Sequence, residues 1–574
     1  MFSKRPSQLR LNQADLYYLD MVGRESFYGR LAQGRDRLFR DEDFAMLYCP
    51  DNGRPSVPPS LLAVALLLQA HDKVSDEQAV QHATFDLRWK VALGIDVEEQ
   101  PFVKSTLQLF RAQLLVHEQA GAIFLASIEE AKRQGFLRGK KRTLTIDTTP
   151  IFGKGAVKDT YNLLASGIVM LVRALAEAVG QKPAAWAARH DLSRYFASSI
   201  KGEAAINWDK KSERQAFLAG IVGDAKRLLE RAKQTRATLG AGHPAHETIT
   251  QAAELLCQLL AQDIETDETG EPKLREGVSK DRMPSATDPQ MRHGHKSRRA
   301  RFDGHKAAVA VDTDEGLITQ VDVIAGNAPD HENALELVEA SEHNTGCEVD
   351  QTIGDCAYGD GQTRQKFKDA DRALVAKVPR RPDGQLSKDA FGIDLTNRCV
   401  TCPAGHTTTT FRADRGGHCA GTCVFAKGLC AQCPLRAECV RGQGGRTITI
   451  HPQEELLQQA RAYQATDAFR DEYLKRQVAE HRIARLVQLG IRKSRYFGRA
   501  KTRFQLLMAA AVANLTLAWN AAAKRAQQSA SSALSCAREW ATDALWTVAR
   551  RVPNLSGFIA RSERRFPTTC PSSA

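Results

Sequence analysis

At about 100 to 200 residues per domain, a chain of 574 residues holds several structural units, which excludes a single core. Its composition, 43% hydrophobic and 26% charged, is that of a globular protein. The longest apolar stretch, Leu506 to Trp519, is broken by Asn514, and no apolar run follows the basic N-terminal residues, so no membrane span or secretory leader is expected and a cytoplasmic protein is. The 80 Lys and Arg against 67 Asp and Glu give +13, which favours a polyanionic partner, nucleic acid first.

Residues 1–136 read as helical, with apolar residues three and four apart at Leu61, Leu62, Val64, Ala65 and Leu68. Ser75, three residues before Gln78, predicts a capping box that opens a second short helix, a helix-turn-helix-like pair or plain bundle packing. At Thr143 to Asp147 the period changes to that of a strand, so 137–157 begin a sheet. Helical pattern returns over 158–284 as an insertion. Strands are expected at Phe302 to Asp312, at Gly316 to Ile324, before Asp355 and at Ala376 to Val378, with a helix from His331 to Glu342, so 285–388 resume the sheet. Residues 389–450 are rich in Cys, Gly and Thr, 451–525 are helical again, and 526–574 form a low-complexity, poorly ordered tail.

The stretch from Tyr473 to Arg503 carries ten Lys and Arg against one acid, Glu480. On a helix Tyr473, Arg476 and Glu480 share a face, where a carboxylate among cations can hold a divalent ion beside phosphate; a solvated basic face with an ion pair is the plain alternative. Asp147 and Asp355 each close a strand-like run, Leu-Thr-Ile-Asp and Thr-Ile-Gly-Asp, and strand ends are where ligands gather. With Glu480 they make the three-carboxylate set that two Mg²⁺ ions (or Mn²⁺) require. Asp312 and Asp360 compete from turn-like contexts. The pairs Cys399/Cys402 and Cys430/Cys433, with Cys439 beyond, have the spacing of a tetrahedral structural Zn²⁺ site, with reduced free thiols as the alternative. His293, Lys296, Arg298, Arg299 and Arg301 form a basic cluster suited to phosphates.

These residues resemble the DDE transposases of bacterial insertion sequences, in the group marked by a Y-x2-R-x3-E-x6-K pattern, long cysteine-containing branch. The resemblance rests on Thr-Ile-Asp-Thr-Thr-Pro-Ile around Asp147, Thr-Ile-Gly-Asp-Cys-Ala-Tyr-Gly around Asp355, Asp-Pro-Gln-Met-Arg-His-Gly-His-Lys, Cys-Pro-Leu-Arg-Ala-Glu-Cys, and Tyr473, Arg476 and Glu480. The pattern's Lys falls on Val487, with Arg492 or Lys493 as replacement. The resemblance implies an α/β multidomain protein: an RNase H-like core with helical and zinc-type insertions, behind an N-terminal helical DNA-binding domain. It implies Asp147, Asp355 and Glu480 as catalytic metal ligands and Tyr473 and Arg476 as DNA contacts.

Arg482 and Arg485 extend the expected DNA-binding face. For Zn²⁺ the expected ligands are Cys402, Cys430, Cys433 and Cys439, with Cys399 as alternative to Cys439. The function expected is cleavage and strand transfer at the terminal inverted repeats of an insertion sequence. Its partners are double-stranded DNA (terminal repeats and target) and a second copy in a synaptic homodimer, at the nucleoid, with no membrane. A nuclease sharing the core but lacking strand transfer, and a domesticated non-catalytic DNA-binding protein, are the alternatives.

Overall fold

The computed structural model describes residues 1–6, 11–49, 52–240, 242–297, 299–379, 386–413 and 420–551. In the N-terminal region the helix α1 (Pro59–Asp72) is buried all round from Pro59 to Gln69, so it is a central helix and not a surface one. The expected capping box opens α2 (Asp76–Phe85): Ser75 Oγ accepts from the Gln78 N–H at 3.2 Å, and Gln78 Oε1 from the Ser75 N–H at 2.9 Å.

One mixed sheet organises the rest. Its strands are β1 (Lys141–Phe152), β2 (Arg292–His295), β3 (Arg301–Asp312), β4 (Ile318–Ala325), β5 (Glu348–Ile353) and β6 (Ala373–Val375). Across the sheet they run β4, β3, β1, β5, β6, with β2 pairing the start of β3. β1 and β3 are antiparallel, as are β3 and β4, whereas β1, β5 and β6 are parallel. Alternation along β3 divides its small residues between two layers. Ala307, Val309 and Val311 join the N-terminal helices in one core, and Ala308 and Ala310 face a second core with Leu144, Ile146 and Val338.

Between β1 and β2, α3 (Thr160–Ala178), α4 (Lys211–Leu239) and α5 (Pro244–Asp263) build a separate core around Leu163, Leu171, Ile221 and Leu256. After β4, α6 (Ala334–Thr345) and α7 (Gly361–Asp369) cover the second face of the sheet. The cysteine-rich segment forms two small three-stranded sheets. Three helices close the described chain: α8 (Asp467–Leu474), α9 (Gln477–Gln488) and α10 (Arg499–Arg551).

Three expectations are corrected. β1 continues five residues past Asp147, because β3 pairs with it as far as Phe152. The strand sought at 376–378 lies at Ala373–Val375, where its parallel register with β5 puts it. α10 runs on to Arg551, so the tail is helical to that point and only 552–574 lie outside the described residues. Two helices, α3 and residues 499–532 of α10, are long and apolar enough to cross a membrane, but 61% and 67% of their apolar windows are buried inside the fold.

Candidate active site

The parallel pairing of β1 with β5 ends at Thr145 opposite Ile353. Two residues further along each chain stand Asp147 and Asp355, so a single register brings together two acids 208 positions apart. α9 packs against β1 and β3. Along it Glu480, Ile483, Ala484 and Val487 repeat at three-and-four spacing and line the same cleft of about 740 Å³ as Asp147 and Asp355. Its other walls include Thr148, Thr149, His295, Lys296, Phe302, Lys306, Asp330, Arg476 and Arg492.

Burial, then the neighbouring Asp355 charge, pushes the Asp147 carboxyl up to about 6, against the Thr148 N–H and Arg476. Burial also raises Asp355, whose Oδ1 accepts from the Ala357 N–H at 2.8 Å. Arg476 bridges the set: Nη1 lies 3.5 Å from Asp147 Oδ2 and Nη2 donates to Glu480 Oε1 at 2.5 Å. Burial opposes the Arg476 charge, and Glu480, Tyr473 and Asp147 outweigh it. Tyr473 stacks on Phe469 with centroids 5.3 Å apart, and Lys377 and Arg476 lie over its ring. The expected continuous helix from Tyr473 to Arg485 is broken: Tyr473 ends α8, Arg476 sits in the joint and Glu480 is in the first turn of α9.

The structure separates the remaining candidates. Arg482 lies on the face of α9 that carries buried Ala479 and Leu486, and donates to the Ala513 carbonyl at 2.9 Å. Burial lowers its pKa to about 10, so it is a packing residue and not the surface DNA contact expected. Arg485 is off the cleft, 3.4 Å from Gln488 Oε1. His293 turns to Asp303 and Arg282, whereas His295, two residues on, lines the cleft with Lys296. Arg299 and Arg301 are exposed, and Arg298 lies outside the described residues. Asp312 is fully buried with Arg142 nearby, and Asp360 caps α7. Arg492 enters the cleft, donating to Thr149 Oγ1 and the Pro150 carbonyl at 3.0 Å each, whereas Lys493 opens onto another pocket beside Lys73 and Arg495.

Sequence reasoning missed Asp330 and Lys306. Lys306 Nζ donates to Asp330 Oδ1 and the Ala328 carbonyl at 2.7 Å each, and the Asp330 charge reaches Asp147 and Asp355. A lysine directly before the apolar run Ala307 to Val311 of β3 was the readable signal.

Among the described residues, no three His, Cys, Asp or Glu side chains stand close enough together to hold a metal ion. In the acidic cleft the donor set nevertheless suits a divalent cation: beyond burial, the charges of Asp355 and Asp330 raise the half-buried Asp147, that of Asp330 raises Asp355, and Asp355 makes no ion pair among the described residues. In the cysteine-rich segment, Cys402, Cys430, Cys433 and Cys439 line one small pocket, of about 20 Å³, with His406. Burial and the three other thiols raise Cys439. Cys399 instead neighbours Cys423. The zinc geometry expected from sequence is therefore not formed, although four of its thiols converge.

The N-terminal 136 residues hold 16 Lys and Arg against 18 Asp and Glu. The chain's net positive charge therefore resides in the rest of the chain.

Comparison with protein families adds the class. Residues 401–518, which include Arg476 and Glu480 but neither Asp147 nor Asp355, match the model described as Transposase DDE domain. Residues 17–113 match Transposase domain (DUF772). Together these matches support an insertion-sequence DDE transposase. A DDE domain implies an RNase H-like core, with which the strand order of the mixed sheet agrees. Comparison with curated proteins and with solved structures returned no match.

Proposed function

We propose that this protein binds the terminal inverted repeats of its insertion sequence and cleaves and rejoins DNA at a centre formed by Asp147, Asp355 and Glu480. The observation that carries the reading is their convergence on one cleft across 208 and 125 residues of chain. Divalent ions held by these carboxylates would activate the attacking water or 3′-hydroxyl and offset charge on the leaving oxygen. The chain's own groups position the DNA. Lys296 and Arg492 offer cations to phosphate oxygens at the cleft walls, and Arg476 offers a planar fork suited to two oxygens of one phosphate. The Lys306–Asp330 pair fixes one wall.

We further propose that Cys402, Cys430, Cys433 and Cys439 close around a structural Zn²⁺, that the segments at 1–136, 158–284 and 389–450 are distinct domains around the core, and that synapsis is homodimeric and nucleoid-associated. The test uses DNA carrying the ends that flank the gene. Asp147→Asn, Asp355→Asn and Glu480→Gln should each abolish cleavage, with end binding kept. Equal loss of both would make the acids structural. Cleavage without joining in a strand-transfer assay would make the protein a nuclease.

A further inference from the structure

Two of the carboxylate oxygens that a divalent ion would use are already engaged. Arg476 contacts Asp147 Oδ2 and Glu480 Oε1 at once, drawing together acids from the central strand and from α9. Its own position is set from behind by Tyr473, which Phe469 backs, and by its place in the joint between α8 and α9. One guanidinium cannot hold two carboxylates and a DNA phosphate in the same geometry, and a cation cannot enter between the carboxylates while it is there. Resting on the reading of the cleft as a metal-dependent centre, we propose that Arg476 is a resident counter-ion that closes the acidic centre to divalent cations until a DNA phosphate draws it away.

The physical basis is competition. Arg476 balances part of the carboxylate charge in the DNA-free protein, which spares the fold an uncompensated acidic cluster. A phosphate offers the same fork a better bidentate partner in the filled complex. Because the guanidinium is shared between the two states, metal and DNA favour each other's binding, and the coupling is reciprocal. The centre then fills only where a substrate is present.

Mn²⁺ binding to the full chain without DNA, followed by electron paramagnetic resonance of the free ion, tests this. Asp147→Asn should weaken binding, and Arg476→Gln should tighten it by roughly tenfold. Arg476→Lys, which keeps the charge but loses the fork, should fall between wild type and Arg476→Gln. No effect of Asp147→Asn would overturn the metal-site reading itself. A loss in Asp147→Asn with no gain in Arg476→Gln would overturn the counter-ion alone. Arg476→Lys equal to wild type would reduce the effect to general repulsion and also overturn it. In a second arm, a duplex of about 20 base pairs is titrated in EDTA and in Ca²⁺. The wild type should gain several-fold in affinity with Ca²⁺ and Arg476→Gln should not; an equal gain would overturn the coupling.

Discussion

Asn514, buried in the middle of α10, pairs with both backbone groups of Ile318: its Oδ1 accepts from the Ile318 N–H at 3.0 Å and its Nδ2 donates to the Ile318 carbonyl at 2.8 Å. The side chain thus acts as one residue of an extra strand beside β4. This is why a polar residue interrupts the most apolar stretch of the sequence. Asn514→Leu keeps the volume and orphans two buried backbone groups at about 1 to 3 kcal/mol each. The expected loss is about 2 to 6 kcal/mol of unfolding free energy, read as a lower denaturant midpoint, with DNA binding per folded molecule unchanged.

Arg482 and Arg476, six residues apart, should separate stability from function. Arg482→Ala removes a half-buried bond to Ala513 and the packing of the side-chain stem, so it should cost about 1 to 2 kcal/mol while leaving the salt slope of DNA binding at its wild-type value. Arg476→Ala should lower the melting temperature of the DNA-free protein less than Arg482→Ala does, through lost charge balance alone, and lower cleavage on the order of a hundredfold, since misplacing the phosphate by about 1 Å costs that much. Melting curves, salt titrations and single-turnover cleavage on both variants check the pair.

Asp147 makes the metal-free protein sensitive to pH. A carboxyl raised to about 6 from its ordinary 3.8 keeps a proton that the unfolded chain has released. Its stabilising contribution is therefore full below about pH 4 and lost as pH rises through 6. Asp147→Asn should stabilise the metal-free protein at pH 7.5 by about 1 to 3 kcal/mol and flatten the profile between pH 4 and 6. Asp312, also raised to about 6 by burial, contributes with the same sign, so Asp312→Asn is the control that isolates the Asp147 share. Divalent binding should weaken below about pH 6, where the proton competes for the same oxygens.

The thiols can be sorted by metal analysis of protein purified without chelator. About one Zn²⁺ per chain is expected in wild type and in Cys399→Ser, and none in Cys439→Ser, because Cys439 shares its pocket with Cys402, Cys430 and Cys433 and Cys399 does not. A stoichiometry near zero in wild type restores the reading of reduced free thiols.

The acids of the proposed centre stood out in the sequence because Asp147 and Asp355 each follow a run of strand-forming residues, although Asp147 lies within its strand and not at its end, and because Glu480 is the lone acid in a basic segment. What stayed hidden depends on partners distant in sequence. Arg482 reads as one more cation in a basic stretch until α10 supplies the Ala513 carbonyl beneath it. His293 and His295 are chemically alike in sequence, and only their partners in the fold tell them apart: Asp303 and Arg282 engage His293, while His295 lines the cleft. Asp330 sits in a loop like many other aspartates, and its relevance follows from Lys306 on a strand 24 residues earlier. The length of β1 was underread for the same reason, since β3, which extends it, lies beyond the helical insertion.

That insertion leaves and rejoins the core at one point: the Lys158 N–H donates to the Pro284 carbonyl at 3.1 Å. For the folding chain this shortens a long errand. Pairing β1 with β3 across the intervening 148 residues would ordinarily require closing a very long loop, a cost that grows with the logarithm of loop length. Once the helices between have condensed on their own core, the two strand ends are delivered side by side and the effective loop is short. The same closure makes the segment a removable module: replacing residues 159–283 by a short glycine-rich link would leave the sheet's register intact.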